Sequence, residues 1–214
     1  MKDFAEQDLA ELLRTRLQGD LPGRVAHREW SSDLTYGRQE GPTAHNVREA
    51  STIVLLYQDQ GEWYLPLTVR PSHLPDHAGQ VSLPGGVVES GETAEAAAVR
   101  ELEEELQVSV DQVSVLGPLS PLYVFVSNFR ILPHVGIHHG KCEMRPNEQE
   151  VARLLKLPLS HLVDPRRKTS RCMSREGVSF RAAGWWHHQH FVWGATAMIL
   201  GEFTALLEGQ VDDG

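Results

Sequence analysis

Between Gly85 and Val108 the chain reads GGVVESGETAEAAAVRELEEELQV, and Glu103, Glu104 and Glu105 stand side by side just after Glu101, near the end of an alanine-rich segment with helical character. That arrangement narrows what the chain can fold into. Like charges three or four residues apart on an exposed helix cost about 0.2–0.5 kcal/mol per pair. Carboxylates in a last turn also oppose the partial negative charge of a helix C-terminus. A fold that keeps them must bring positive charge to that helix end, and a bound cation meets the need.

Thr93 is placed to cap the helix. Val99, Leu102 and Leu106 are spaced to bury one face, and Glu101, Glu104 and Glu105 converge on another. Two carboxylates about 5 Å apart repel by roughly 3 kcal/mol at an effective dielectric near 20. Hard oxygen ligands at that separation suit Mg2+ or Mn2+, which keep several waters and bridge to substrate phosphates.

The formal charge of -9 argues against a nucleic-acid backbone as partner and remains compatible with a small anion held through metal ions. With 214 residues, 41% of them hydrophobic and 23% charged, the chain has the size and composition of one soluble domain. No run approaches the roughly eighteen apolar residues of a membrane span. The start, MKDFAEQDLAELLRTRLQG, resembles neither a secretory nor a transit peptide, so a cytoplasmic location is expected, with no membrane partner. Cys142 and Cys172 are far apart and read as ordinary thiols.

Phe4, Leu9, Leu12, Leu13 and Leu17 share a helical face, which GDLPG then ends. The polar segment up to Asn46 reads as an arm, so residues 1–47 form an N-terminal helix and arm, and 48–214 the domain. STIVLLYQ and EWYLPLTVR are strand-like runs joined by the turn DQG, and QVSL is a short strand. Beyond the glutamates, VSVLGPL and FRILPHVGIH read as strands, EQEVARLLKL as a short helix starting at Glu148 and Glu150, VSFRA and WWHHQHFVWG as strands, and ATAMILGEFTALLEG as a closing helix. Strands and helices mixed without regular alternation predict an α/β fold: a mixed sheet between helices.

A solvated acidic face is the ordinary account of a charge run. It leaves unexplained the glycine pair Gly85-Gly86, the isolated Glu92 and the arginine directly before Glu101. From Gly86 to Glu105 the spacing is G-x5-E-x7-R-E-L-x-E-E. This pattern resembles the signature box of the Nudix hydrolases. The resemblance implies an α/β/α sandwich with a loop-helix-loop motif, and metal-dependent cleavage of a diphosphate joining a nucleoside to another moiety. It also implies that Glu101, Glu104, Glu105 and the Gly85 carbonyl hold Mg2+ or Mn2+, and that Arg100 pairs with Glu92. Gln107 stands where the family usually has glycine, so an altered helix exit is expected.

Upstream, LPLTVRPSHLPDHAGQVSLPGG resembles the additional motif of the coenzyme A pyrophosphatase branch of that family. It implies substrate binding through Arg70, His73, His77 and Gly79, and products 3',5'-ADP and a 4'-phosphopantetheine. The branch usually has arginine at the position of Pro75 and phenylalanine at that of Leu83. The expected partner is a small-molecule diphosphate, and a homodimer is compatible with this. Other dinucleotide-type diphosphates such as NADH or ADP-ribose, and a non-catalytic ligand-binding module, stay open as alternatives.

Further features carry less. His187, His188 and His190 form a cluster, with His188 and His190 expected on one strand face. Arg166, Arg167 and Lys168 are either a solvated loop or a phosphate contact. Trp185, Trp186 and Trp193 read as packing residues. One of Glu148 and Glu150 is available to join the metal site.

Overall fold

The computed structural model describes residues 6–33, 46–71, 79–175 and 177–209. In chain order its elements are α1 (Glu6–Leu17), α2 (Gly23–Trp30), β1 (Arg48–Asp59), β2 (Glu62–Val69), β3 (Val81–Ser82), β4 (Gly85–Val87), α3 (Ala94–Leu106), β5 (Val113–Pro118), β6 (Leu122–Val124), β7 (Phe129–His138), β8 (Arg153–Pro158), α4 (Leu159–Leu162), β9 (Thr169–Arg175), β10 (Val178–His187), β11 (His190–Trp193) and α5 (Gly194–Glu208).

Strand β1 is the spine. Its apolar run is buried on both sides: Ile53 and Leu55 pack with Leu102 and Leu106 of α3, while Val54 and Leu56 join Leu9 and Leu13 of α1 and Phe203 of α5. A strand covered on both faces reads as a continuous apolar stretch. The β1–β2 turn is tight because Gln60 (φ 52°) and Gly61 (φ 82°) both adopt left-handed conformations, whose twist matches the flanking strands.

Strand β1 pairs in parallel with β7, from Arg48 opposite Phe129 to Leu56 opposite Ile137. The remaining pairings of the large sheet are antiparallel: β1 with β2 and β4, β2 with β3 and β8, and β7 with β5 and β6. The mixed sheet lies between α3 on one face and α1 with α5 on the other, which is the expected sandwich. A second sheet, β11-β10-β9, is antiparallel.

Four local expectations are corrected. Instead of a helix, EQEVARLLKL forms a turn and then β8, in which Leu155 and Leu157 alternate inward opposite Leu67 and Leu65 of β2. Period two wins because β2 offers a free backbone edge. The segment read as an arm contains α2, whose buried residues are Gly23, Ala26 and His27, so it carries no aliphatic stripe to betray it. VSFRA and WWH form one continuous strand, β10, and β9 and β6 complete hairpins outside the expected elements. On α3, Ala98 is buried with Leu102 and Leu106, and Val99 is only half-buried.

Candidate active site

Helix α3 starts as expected: Thr93 Oγ1 accepts a hydrogen bond from the Ala96 N–H at 3.1 Å. At its other end Gln107 takes the left-handed conformation (φ 51°, ψ 37°) that the family's glycine would adopt, and its N–H donates to the Glu103 carbonyl at 2.8 Å. The altered exit is therefore corrected: the turn is kept, with a side chain in a conformation that costs about 1 kcal/mol. The orphan carbonyls of the last turn are capped from a distant loop, Leu106 by the Arg145 N–H and Glu105 by the Asn147 N–H, each at 2.8 Å. The same loop turns at Asn147, whose Nδ2 donates to Glu150 Oε1 at 3.1 Å. Capping the helix thus delivers a third carboxylate to its face.

Glu101, Glu105 and Glu150 each offer an oxygen within 4.8 Å of the others. Glu105 is 6% exposed, and its Oε2 is buried with no hydrogen-bond partner. Burial above all, then the charges of Glu101 and Glu150, push its carboxyl up to about 8, against smaller opposing effects of Arg70 and the Gly85 backbone. Burial also raises Glu101. Ionising this group at neutral pH calls for a cation among the three carboxylates, and the unpartnered oxygen fits a divalent one. The glycine pair makes the room. At Gly85 (φ 152°) a Cβ would overlap the Ser51 carbonyl, and at Gly86 it would overlap the Glu101 carboxylate.

Arg100 ties the loop to the helix. Its Nε donates to Glu92 Oε1 at 2.9 Å, and its Nη2 to Glu92 Oε2 at 3.2 Å and the Val87 carbonyl at 3.1 Å. Its Nη1 bridges Glu101 Oε1 and Glu104 Oε2, both at 2.9 Å. The guanidinium holds Glu92 below the usual carboxylate range. Glu104 has a 51% exposed side chain, lies outside the three-carboxylate group and reaches Glu101 only through Arg100.

The family model for the NUDIX domain matches residues 47–171 of this chain. The chain belongs to the Nudix family. A protein of Escherichia coli O6:H1 described as an uncharacterized Nudix hydrolase, NudL, is 37% identical over 158 residues, covering 73% of this chain and 81% of that protein. Among solved structures, the Nudix hydrolase RenU of M. smegmatis matches with a TM-score of 0.50 at 14% identity, over 81% of this chain and 94% of its own. A MutT/nudix family protein from Enterococcus faecalis matches with a TM-score of 0.50 at 16% identity, over 96% and 76%. The fold is that of the Nudix hydrolases, and the chain is a Nudix pyrophosphohydrolase. Enzymes of this family use divalent metal ions.

The Nudix carboxylates open into a cleft of about 710 Å3. Glu101, Glu105, Glu150 and Arg70 line it, together with an apolar wall that includes Phe125, Val126, Phe129, Phe180 and Trp193. Arg70 is held by a backbone pair: its N–H donates to Gln80 and its carbonyl accepts from Gly79, both at 3.0 Å. His73 and His77, with Pro75, lie outside the described residues. Arg166 and Arg167 pair with Asp164, Lys168 pairs with Glu29, and none of the three basic residues lines the cleft. Trp185 is buried against Trp30, Trp186 is exposed, and Trp193 lines the cleft.

His188 sits in the β10–β11 turn and His187 stands opposite His190, which corrects the expected face. Among the described residues the histidines bring no group of three metal-ligating atoms together. The sequence could not choose between Glu148 and Glu150, and the geometry selects Glu150. The usable signal was Asn147, a residue that turns the chain through its own side chain. Arg48, which lines the cleft, was missed altogether.

Proposed function

We propose that this Nudix enzyme hydrolyses the diphosphate of coenzyme A or a derivative, giving 3',5'-ADP and a 4'-phosphopantetheine, with Mg2+ or Mn2+ as its metal. The observation that carries this is the group of Glu101, Glu105 and Glu150 around an unpartnered buried oxygen, at the polar end of a cleft whose remaining wall is largely apolar. Those three carboxylates and the Gly85 carbonyl are the proposed metal ligands, and Glu104 joins them if Arg100 releases it. When bound, the metal neutralises diphosphate charge and acidifies water for attack at phosphorus.

The chain's own residues do the rest. Arg100 fixes Glu101 and the Gly85–Glu92 loop in one register, so the carboxylates are oriented before substrate arrives. Arg70 adds positive charge beside Glu105, where a diphosphate would lie. The wall of Phe125, Val126 and Trp193 suits the uncharged arm of the substrate and keeps bulk water away. The motif from Leu65 to Gly86 supports coenzyme A over other diphosphates, since the glutamate box acts on a diphosphate whatever it carries.

The test is catalytic efficiency on coenzyme A, dephospho-coenzyme A, ADP-ribose and NADH under identical metal conditions. Coenzyme A should be cleaved. If ADP-ribose or NADH is cleaved about tenfold or more efficiently than coenzyme A, the coenzyme A reading fails and hydrolysis of another dinucleotide-type diphosphate replaces it.

A further inference from the structure

The cleft contains a cation that the glutamate site does not use. Arg48 lines the cleft at the start of β1, with its guanidinium 4.3 Å from the centre of the Phe129 ring. Its neighbour Glu49 is occupied by Arg130 at 2.9 Å. Glu89 also lines the cleft and makes no ion pair with Arg48. Among the described residues no carboxylate claims the Arg48 side chain. An arginine laid on an aromatic ring keeps its forked N–H edge free, and that edge matches a phosphate.

The backbone around Arg48 is unusually well tied. Its N–H donates to the carbonyl of Asn128 at 3.1 Å. Asn128 is left-handed (φ 53°) and binds on both sides: its Nδ2 donates to the Asn46 carbonyl at 3.1 Å, and its Oδ1 accepts from the Tyr123 hydroxyl at 2.8 Å. Arg48 is also in register with Phe129 across the parallel β1–β7 pair. Stacking and strand pairing hold the guanidinium before any ligand arrives.

Position along β1 gives the spacing. Thr52 lies opposite Gly85, Ala50 opposite Val87 and Arg48 opposite Phe129. Residues 48, 50 and 52 share one face of the strand, and four residues span about 13 Å. Arg48 therefore stands about 10–13 Å along the strand from the glycine pair, with its guanidinium turned onto Phe129 and not toward the diphosphate site. It is placed for an anion one sugar away. Ser127 lines the same cleft and adds a hydroxyl donor two residues from Phe129.

We propose that Arg48, seated on Phe129, forms a second phosphate subsite that selects substrates carrying a monoester phosphate outside the diphosphate that is cleaved. This rests on the hydrolase reading above and names a specificity residue within it. Coenzyme A carries such a phosphate and dephospho-coenzyme A lacks it, which makes the pair the natural comparison.

The experiment measures kcat and KM of the full chain and of Arg48→Ala and Arg48→Lys on both substrates, and binding of 3',5'-ADP and AMP by calorimetry. Arg48→Ala should raise KM for coenzyme A about tenfold with kcat within about twofold, and leave dephospho-coenzyme A nearly unchanged. It should weaken 3',5'-ADP about tenfold and AMP little, with Arg48→Lys intermediate. Equal losses on both substrates and both nucleotides, or no loss on either, would overturn the subsite. The binding arm separates the two ideas: a wild type that does not cleave coenzyme A but holds 3',5'-ADP through Arg48 keeps the subsite and discards the substrate.

Discussion

Glu105 and Glu202 are both buried glutamates, at 6% and 0% exposure, and their surroundings treat them in opposite ways. Glu202, on α5, is fully provided for. Its carboxylate accepts from the Gly23 N–H at 3.2 Å and the Ser120 N–H at 3.1 Å, and meets His27 Nε2 at 2.8 Å. It pins α2 and the chain before β6 to the last helix. Glu105 has two acidic neighbours and an oxygen with no partner. Burial alone would call both structural; the completeness of the partners separates a brace from a site suited to a cation.

The largest effect should come from Glu105→Gln, which keeps the shape and removes the charge. Turnover at saturating metal should fall at least about a hundredfold, while the metal-free protein melts no lower than wild type, because the cost of holding a buried carboxyl protonated at neutral pH has gone. Glu202→Ala should do the reverse. Leaving His27 and two N–H groups without their acceptor should cost about 2 kcal/mol in chemical denaturation, with kcat/KM of the folded enzyme unchanged. A Glu202→Ala enzyme with normal stability and poor turnover would break the comparison.

Arg100→Ala should fall between the two, lowering kcat/KM about tenfold and also the melting temperature, since the guanidinium organises the site and ties loop to helix. A loss confined to KM would instead make Arg100 a ligand contact.

The smallest effect concerns His187, a buried group of intermediate kind: it hydrogen-bonds the Lys156 backbone, yet its Nε2 lacks a partner. Burial first, then His188, His161 and His190, lower it from 6.5 to about 4. The unfolded chain therefore binds the proton more readily. The stability held by neutral His187 is full above about 6.5 and is lost as pH falls toward about 4. Between pH 7 and pH 6 this amounts to roughly 0.7 kcal/mol, a slope in melting temperature that His187→Gln should remove.

What the sequence made readable was local. The Thr93 cap, the Arg100–Glu92 pair, the convergence of Glu101 with Glu105 and the Gln60-Gly61 turn all lie within a few residues of one another and follow from helical or turn spacing. The unread features depend on partners far along the chain. Helix α2 is held by a histidine bonded 175 residues away, and β8 becomes a strand because β2 offers an edge. Glu150 reaches the site because its loop caps α3, and Arg48 shows its role only once Phe129 lies beneath it. Such pairings leave no periodicity to detect.

The central claim is that the carboxylates of Glu101, Glu105 and Glu150 form a divalent-metal site organised around the unpartnered oxygen of Glu105. Calorimetric titration of the purified, metal-free protein with Mn2+ tests it without any substrate. Wild type should bind Mn2+, and Glu105→Gln should bind it at least about tenfold more weakly while remaining folded by circular dichroism. Equal Mn2+ affinity in the two proteins would contradict the account.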